Sequence, residues 1–230
     1  MRRPSRWRKL AGAAFVVVAA THVAAKAVAP DSAVCTFTQA LLMPALAGVL
    51  LAPPGPVLWG TDPLPRRVLA ALALSWLGDT LPRLSADPDR AFLLMLGPFL
   101  LAQGAYISAF WPHRRTGIPG LRRGRRVLAL APYGAALTAI VALCAPRSGP
   151  MLPAILVYGG ALVSMAVLST GLGPVAGAGG AVFLASDSLI GLEAFADLRL
   201  PMHGAWVMTT YLAGQGLLVL AVRRRCPRAE

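Results

Sequence analysis

The chain has 230 residues, 57% apolar and 13% charged, with a mean hydropathy of +0.64, whereas a soluble domain has about 45–50% and about 25%. That much apolar surface excludes a water-soluble fold, and at about 20 apolar residues per crossing the length allows at most about eight or nine spans. The net charge of +13, from 22 Lys and Arg against 9 Asp and Glu, lies between apolar runs, where the positive-inside rule and anionic lipid explain it better than nucleic acid does.

The pattern predicts an all-α polytopic bundle of eight transmembrane helices forming a single integral membrane domain. The first span, 10–29, follows a basic leader and carries His22 and, near its end, Lys26; Pro30-Asp31 closes it. Span two, 34–52, contains Gln39 and stops at Pro53-Pro54-Gly55-Pro56. Span three, 66–84, holds Ser75 and Asp79, and Asp87-Pro88 turns the chain into span four, 91–111, with Gln103 and Tyr106. A basic loop leads to span five, 126–145, which Pro146 ends. Span six, 151–169, brings Tyr158 and Ser164, and glycines and a proline at 171–174 separate it from span seven, 175–195, with Asp187. Pro201 precedes span eight, 202–222, with Thr209, Thr210, Tyr211 and Gln215. Proline and glycine at these boundaries are the residues that interrupt helices.

If the spans alternate, 17 Lys and Arg fall on the side of both termini and 5 on the other. The asymmetry places a multi-pass protein in the cell membrane with its N- and C-termini cytoplasmic. A cleavable signal peptide is the alternative for span one, because Ala25-Lys26-Ala27 follows a basic and then an apolar segment. The halves also correspond faintly: Met43-Pro44-Ala45-Leu46 with Leu152-Pro153-Ala154-Ile155, Gly78-Asp79 with Ser186-Asp187, Gln103-Gly104 with Gln215-Gly216. A parallel four-plus-four repeat accounts for all three.

An Asp near the centre of a crossing helix costs about 2.5–3.5 kcal/mol to insert, so Asp79 and Asp187 are the most informative residues. Each sits at a similar distance along an outward-running span. They form either a proton-handling pair, an acid beside a base, or helix-packing hydrogen bonds. Gln103 and Tyr106, three apart, and Tyr211 and Gln215, four apart, each share a helix face. With Gln39 and Tyr158 they are candidate substrate-binding residues, and Ser75, Ser164, Thr209 and Thr210 are further candidates for the same lining. Glu193 lies on another face from Asp187 and suits a snorkelling or loop role. The tryptophans, mostly at span ends, read as interfacial anchors. Cys35, Cys144 and Cys226 form no CxxC, and the histidines form no HxxxH, so no disulfide framework or metal site is expected.

These residues resemble the YhhN family, the lysoplasmalogenases. The resemblance rests on Thr38 through Pro44 of span two, Ser75-Trp76-Leu77-Gly78-Asp79, Gln103 and Tyr106, Tyr158, Ser186-Asp187-Ser188, and Thr210-Tyr211 with Gln215. It implies hydrolysis of the vinyl ether bond of a lysoplasmalogen, a lysophospholipid substrate met in the membrane lipid, with Asp79 and Asp187 as the catalytic pair and no metal or organic cofactor. Family members often have Lys at the position of Gln39 and His at that of Gln103. A transporter, and a lipid-binding protein without turnover, are the competing classes. No protein partner is evident.

Overall fold

The computed structural model describes residues 6–53 and 62–225; Arg2, Arg3, the turn residues Pro54, Gly55 and Pro56, Trp59, Cys226 and Arg228 lie outside the described residues. Among the described residues the chain is helical: α1 (Arg6–Val28), α2 (Ala33–Leu51), α3 (Leu64–Thr80), α4 (Pro88–Phe110), α5 (Arg123–Ser148), α6 (Leu152–Ser169), α7 (Pro174–Ala196) and α8 (His203–Arg225). Six helical stretches are long and apolar enough to cross a membrane, and one of them, Arg123–Leu172, contains both α5 and α6. The helix outside this group is α3, with 17 residues. In hydrocarbon every backbone polar group must be satisfied inside the protein, which is why long apolar runs become helices.

The turn expected at Pro146 lies instead at Gly149. α5 continues through Pro146 to Ser148, and the chain reverses where Gly149 takes φ +46°, a conformation that a residue without Cβ adopts at little cost. The candidate cleavage site at 25–27 lies inside α1. Of the three internal correspondences, the first joins unequal places, since Pro44 is inside α2 while Pro153 is in the first turn of α6.

The chain divides into two compact units, one of Met1–Ala109 with Val219–Glu230, the other of Phe110–Leu218. In the first, α2 packs against α1 and α3, and three long-range contacts satisfy carbonyls that a proline or a helix end leaves unpaired. Proline has no N–H, so it orphans the carbonyl four residues earlier in a helix. Pro44 orphans Ala40, whose carbonyl accepts from Trp76 Nε1 at 2.8 Å. Ser108 lies in the last turn of α4, where carbonyls lack a helical partner, and its carbonyl takes Arg67 Nη1 at 2.6 Å. Val49 and Leu50 lie in the last turn of α2, whose carbonyls have no partner within the helix, and Arg223 Nη1 donates to both while Nη2 reaches Ala52 O at 2.8 Å. Trp76 is thereby a hydrogen-bonding strut within α3, whereas Trp7, Trp111 and Trp206 are exposed near helix ends.

In the second unit, α7 packs on α5 and α6 and meets α8 through glycines. A Cβ on Gly214 would stand 2.8 Å from the Phe183 nitrogen and 2.9 Å from Gly179 O. Small residues let membrane helices approach this closely. Gly214→Ala is expected to destabilise the protein by roughly 2–3 kcal/mol, the cost of overpacking against backbone. Gly104→Ala, whose Cβ meets nothing within 4 Å, is expected to be neutral or mildly stabilising. Thermal unfolding of both variants in detergent checks this, and equal melting temperatures would remove the close-approach argument.

Candidate active site

α7 carries Asp187 nine residues before its end, on the turn above Phe183. Its Oδ2 accepts from Tyr158 OH on α6 at 2.5 Å. Asp187 has no other partner among the described residues, so Oδ1 remains available. Both residues are partly exposed rather than sealed in the core. The serines beside Asp187 serve the scaffold. Ser186 Oγ donates to Val207 O on α8 at 3.0 Å, and Ser188 Oγ to Leu184 O at 2.7 Å. Tyr211 on α8 is buried, its ring edge-on to Phe183 at 5.5 Å, and Gln215, one turn further, is wholly buried.

In the first unit Asp79 is 8% exposed and is the penultimate residue of α3. Before it, Gly78 makes room for Phe99 of α4, whose Cδ2 stands 2.5 Å from where a Cβ would be. Gln103 and Tyr106 on α4 are both fully buried. Neither amide atom of Gln103 has a hydrogen-bond partner among the described residues. A buried amide left unpaired is costly, so such a group marks a place for water or ligand. Gln39 lies elsewhere, on the partly exposed face of α2, where its Oε1 accepts from Arg83 Nη2 at 2.7 Å.

Several residues expected to line a cavity bond their own helices instead. Ser164, Thr209 and Thr210 donate to Gly160 O, Ala205 O and Trp206 O at 2.7, 2.7 and 2.8 Å, the usual back-bond of helical hydroxyls in apolar surroundings. Glu193, in the last turn of α7, faces the α7–α8 connection: it forms an ion pair with Arg199 and lies 3.2 Å from His203 Nε2. Cys35 and Cys144 are free thiols.

Two residues escaped the reading of the sequence. Arg83 entered it only as a charge, although its place four residues after Asp79 was a signal. His22 is the buried residue of α1, and an ionisable side chain inside an apolar span usually has a reason. Its Nδ1 lies 2.9 Å from Thr38 Oγ1, while that hydroxyl donates to Val34 O at 2.6 Å. With its proton committed, Thr38 accepts from Nδ1–H, which leaves Nε2 as an acceptor. That nitrogen is buried and has no partner among the described residues.

The model of the YhhN family matches residues 34–222. The chain belongs to the YhhN family. Membership covers α2 to α8 and thus Asp79, Asp187 and every other candidate residue, while His22 precedes the matched region. No curated protein matches the chain, and no solved structure does. YhhN membership is associated with lysoplasmalogenase-like function and, with the long apolar helices, indicates a multi-pass membrane protein.

Proposed function

We propose that this protein hydrolyses the vinyl ether bond of lysoplasmalogens, releasing a fatty aldehyde and glycerophosphoethanolamine or glycerophosphocholine, with Asp79 and Asp187 as its catalytic carboxylates. YhhN membership over 34–222 carries the reading. The Tyr158–Asp187 contact supports it, because one carboxylate oxygen is held while the other stays open. Protonation of the vinyl ether carbon distal to oxygen gives an oxocarbenium-like cation. Water adds to that cation and loses a proton, and the resulting hemiacetal collapses to aldehyde and free alcohol. One carboxylic acid supplies the first proton; the other carboxylate stabilises the cation and activates the water, the division of labour used in glycoside hydrolysis. The remaining binding roles fall to Gln39, Gln103, Tyr106, Tyr158, Tyr211 and Gln215, and Gln103 has the strongest support because its buried amide is unpaired.

In this reading all eight helices cross the membrane, α3 included, with both termini cytoplasmic. The 17 to 5 division of basic residues supports that orientation. The correspondences of Gly78-Asp79 with Ser186-Asp187 and of Gln103-Gly104 with Gln215-Gly216 support a parallel repeat of α1–α4 and α5–α8. The substrate enters from the surrounding lipid.

Aldehyde release from a vinyl ether lysophospholipid by purified protein tests the proposal. Turnover is expected with the vinyl ether and not with the saturated alkyl ether, which cannot form the cation. A folded protein that releases no aldehyde with either head group overturns the hydrolase reading and favours a carrier, to be followed by lipid transport in vesicles.

A further inference from the structure

The C-terminal part of α1, the N-terminal part of α2 and the 3-10 helix Leu81–Leu84 after α3 lie at one end of the first unit. Arg83 is fixed there by two neutral acceptors on α2, Nη1 donating to Thr36 Oγ1 at 2.7 Å and Nη2 to Gln39 Oε1 at 2.7 Å. Thr36 and Gln39 are three apart and share one helix face. Such partners orient the guanidinium without neutralising it. A guanidinium has five N–H donors, so N–H groups remain to offer an anion. No carboxylate pairs with Arg83 among the described residues, although Asp31, Asp87 and Asp89 lie in the loops and first turn at this end. Asp87 instead accepts from the Arg90 amide at 2.9 Å. Lys26, partly buried on α1, likewise has neither a hydrogen bond nor an ion pair among the described residues.

An uncompensated, pre-aligned arginine suits a tetrahedral oxyanion, which it binds through parallel N–H bonds. Arg83 follows Asp79 by four residues, one in α3 and three in the 3-10 helix, about 7 Å of rise, comparable to the reach of the glycerol unit between a lysolipid's phosphate and its vinyl ether oxygen. We propose that Arg83, braced by Gln39 and Thr36, binds the phosphate of the lipid substrate and selects phospholipids over neutral glycerol ethers. Gln39 is then a positioning residue for Arg83. The assignment rests on the vinyl ether hydrolase reading, which supplies the lipid.

The test measures equilibrium binding, without turnover, to the full-length protein in neutral detergent. The probes are a saturated alkyl-ether lysophosphoethanolamine and the alkylglycerol of the same chain. Wild type is expected to prefer the phospholipid by about 10- to 100-fold, the range for hydrogen bonds to a charged group. Arg83→Gln should abolish this preference while leaving alkylglycerol affinity unchanged; Arg83→Lys should keep part of it, and Gln39→Leu should weaken it. Arg90→Gln, at the same end, should leave it intact. An unchanged preference in Arg83→Gln, or equal loss for both ligands in a folded variant, overturns the proposal. Displacement of the bound lysolipid by equimolar inorganic phosphate would assign the site to free phosphate and overturn the lipid assignment. Arg83-dependent binding without aldehyde release leaves the site standing and removes the hydrolase reading, so the two failures are separable.

Discussion

Asp187→Asn is expected to lower kcat/KM for aldehyde release by about 10²–10⁴, the range for loss of a positioned acid or base. Asparagine keeps the volume of the side chain and an oxygen that can accept from Tyr158, so the contact between α6 and α7 survives while proton transfer does not. Tyr158→Phe does the converse, removing the 2.5 Å bond and leaving the carboxylate. Its expected cost is about 10-fold, consistent with one lost orienting hydrogen bond to a charged group. That order, Asn far worse than Phe, distinguishes a reacting carboxylate from a packing contact, which predicts similar small losses in both. Aldehyde assays on both variants, with melting temperatures measured in parallel, decide between them. Full activity in a folded Asp187→Asn protein removes this residue from catalysis.

Asp79→Asn is expected to cost a comparable factor, about 10²–10⁴ in kcat/KM, with binding of the saturated ether analogue retained. The end of α3 is also held by contacts that do not involve the carboxylate: Thr80 donates to Trp76 O at 2.8 Å, and Trp76 anchors the helix to Ala40 of α2. A loss confined to kcat therefore reports chemistry rather than collapse. The pH–rate profile adds a second readout. Two carboxylates acting as acid and base give wild type a bell-shaped profile, and each folded Asn variant should lose one limb from its residual activity. An Asp79→Asn protein that keeps both limbs and full turnover leaves Asp187 as the sole catalytic carboxylate.

Much of the architecture was legible in the sequence because hydrocarbon offers the backbone no hydrogen-bond partners, so each long apolar run had to become a helix. Asp79 and Asp187 stood out for the same reason: a carboxylate in such a run carries an insertion cost that needs an explanation. Local chemistry also placed most turns, and failed at Pro146, where a proline reads as a stop although a helix tolerates it at the loss of one bond. Gly149 makes the turn because it reaches a positive φ.

Sequence spacing could not say which residues satisfy the carbonyls that a proline or a helix end leaves unpaired. Trp76, Arg67 and Arg223 lie 36, 41 and more than 170 residues from the carbonyls they satisfy. Nor could it separate Gln39, which holds Arg83, from Gln103, buried with its amide unpaired, or Tyr158 on Asp187 from threonines that bond their own helices. Local sequence determined the helices and the costly carboxylates, because both follow from each residue's own transfer free energy. Only the tertiary structure decided the partners, because a polar side chain in an apolar medium takes whichever donor or acceptor the packing brings within reach.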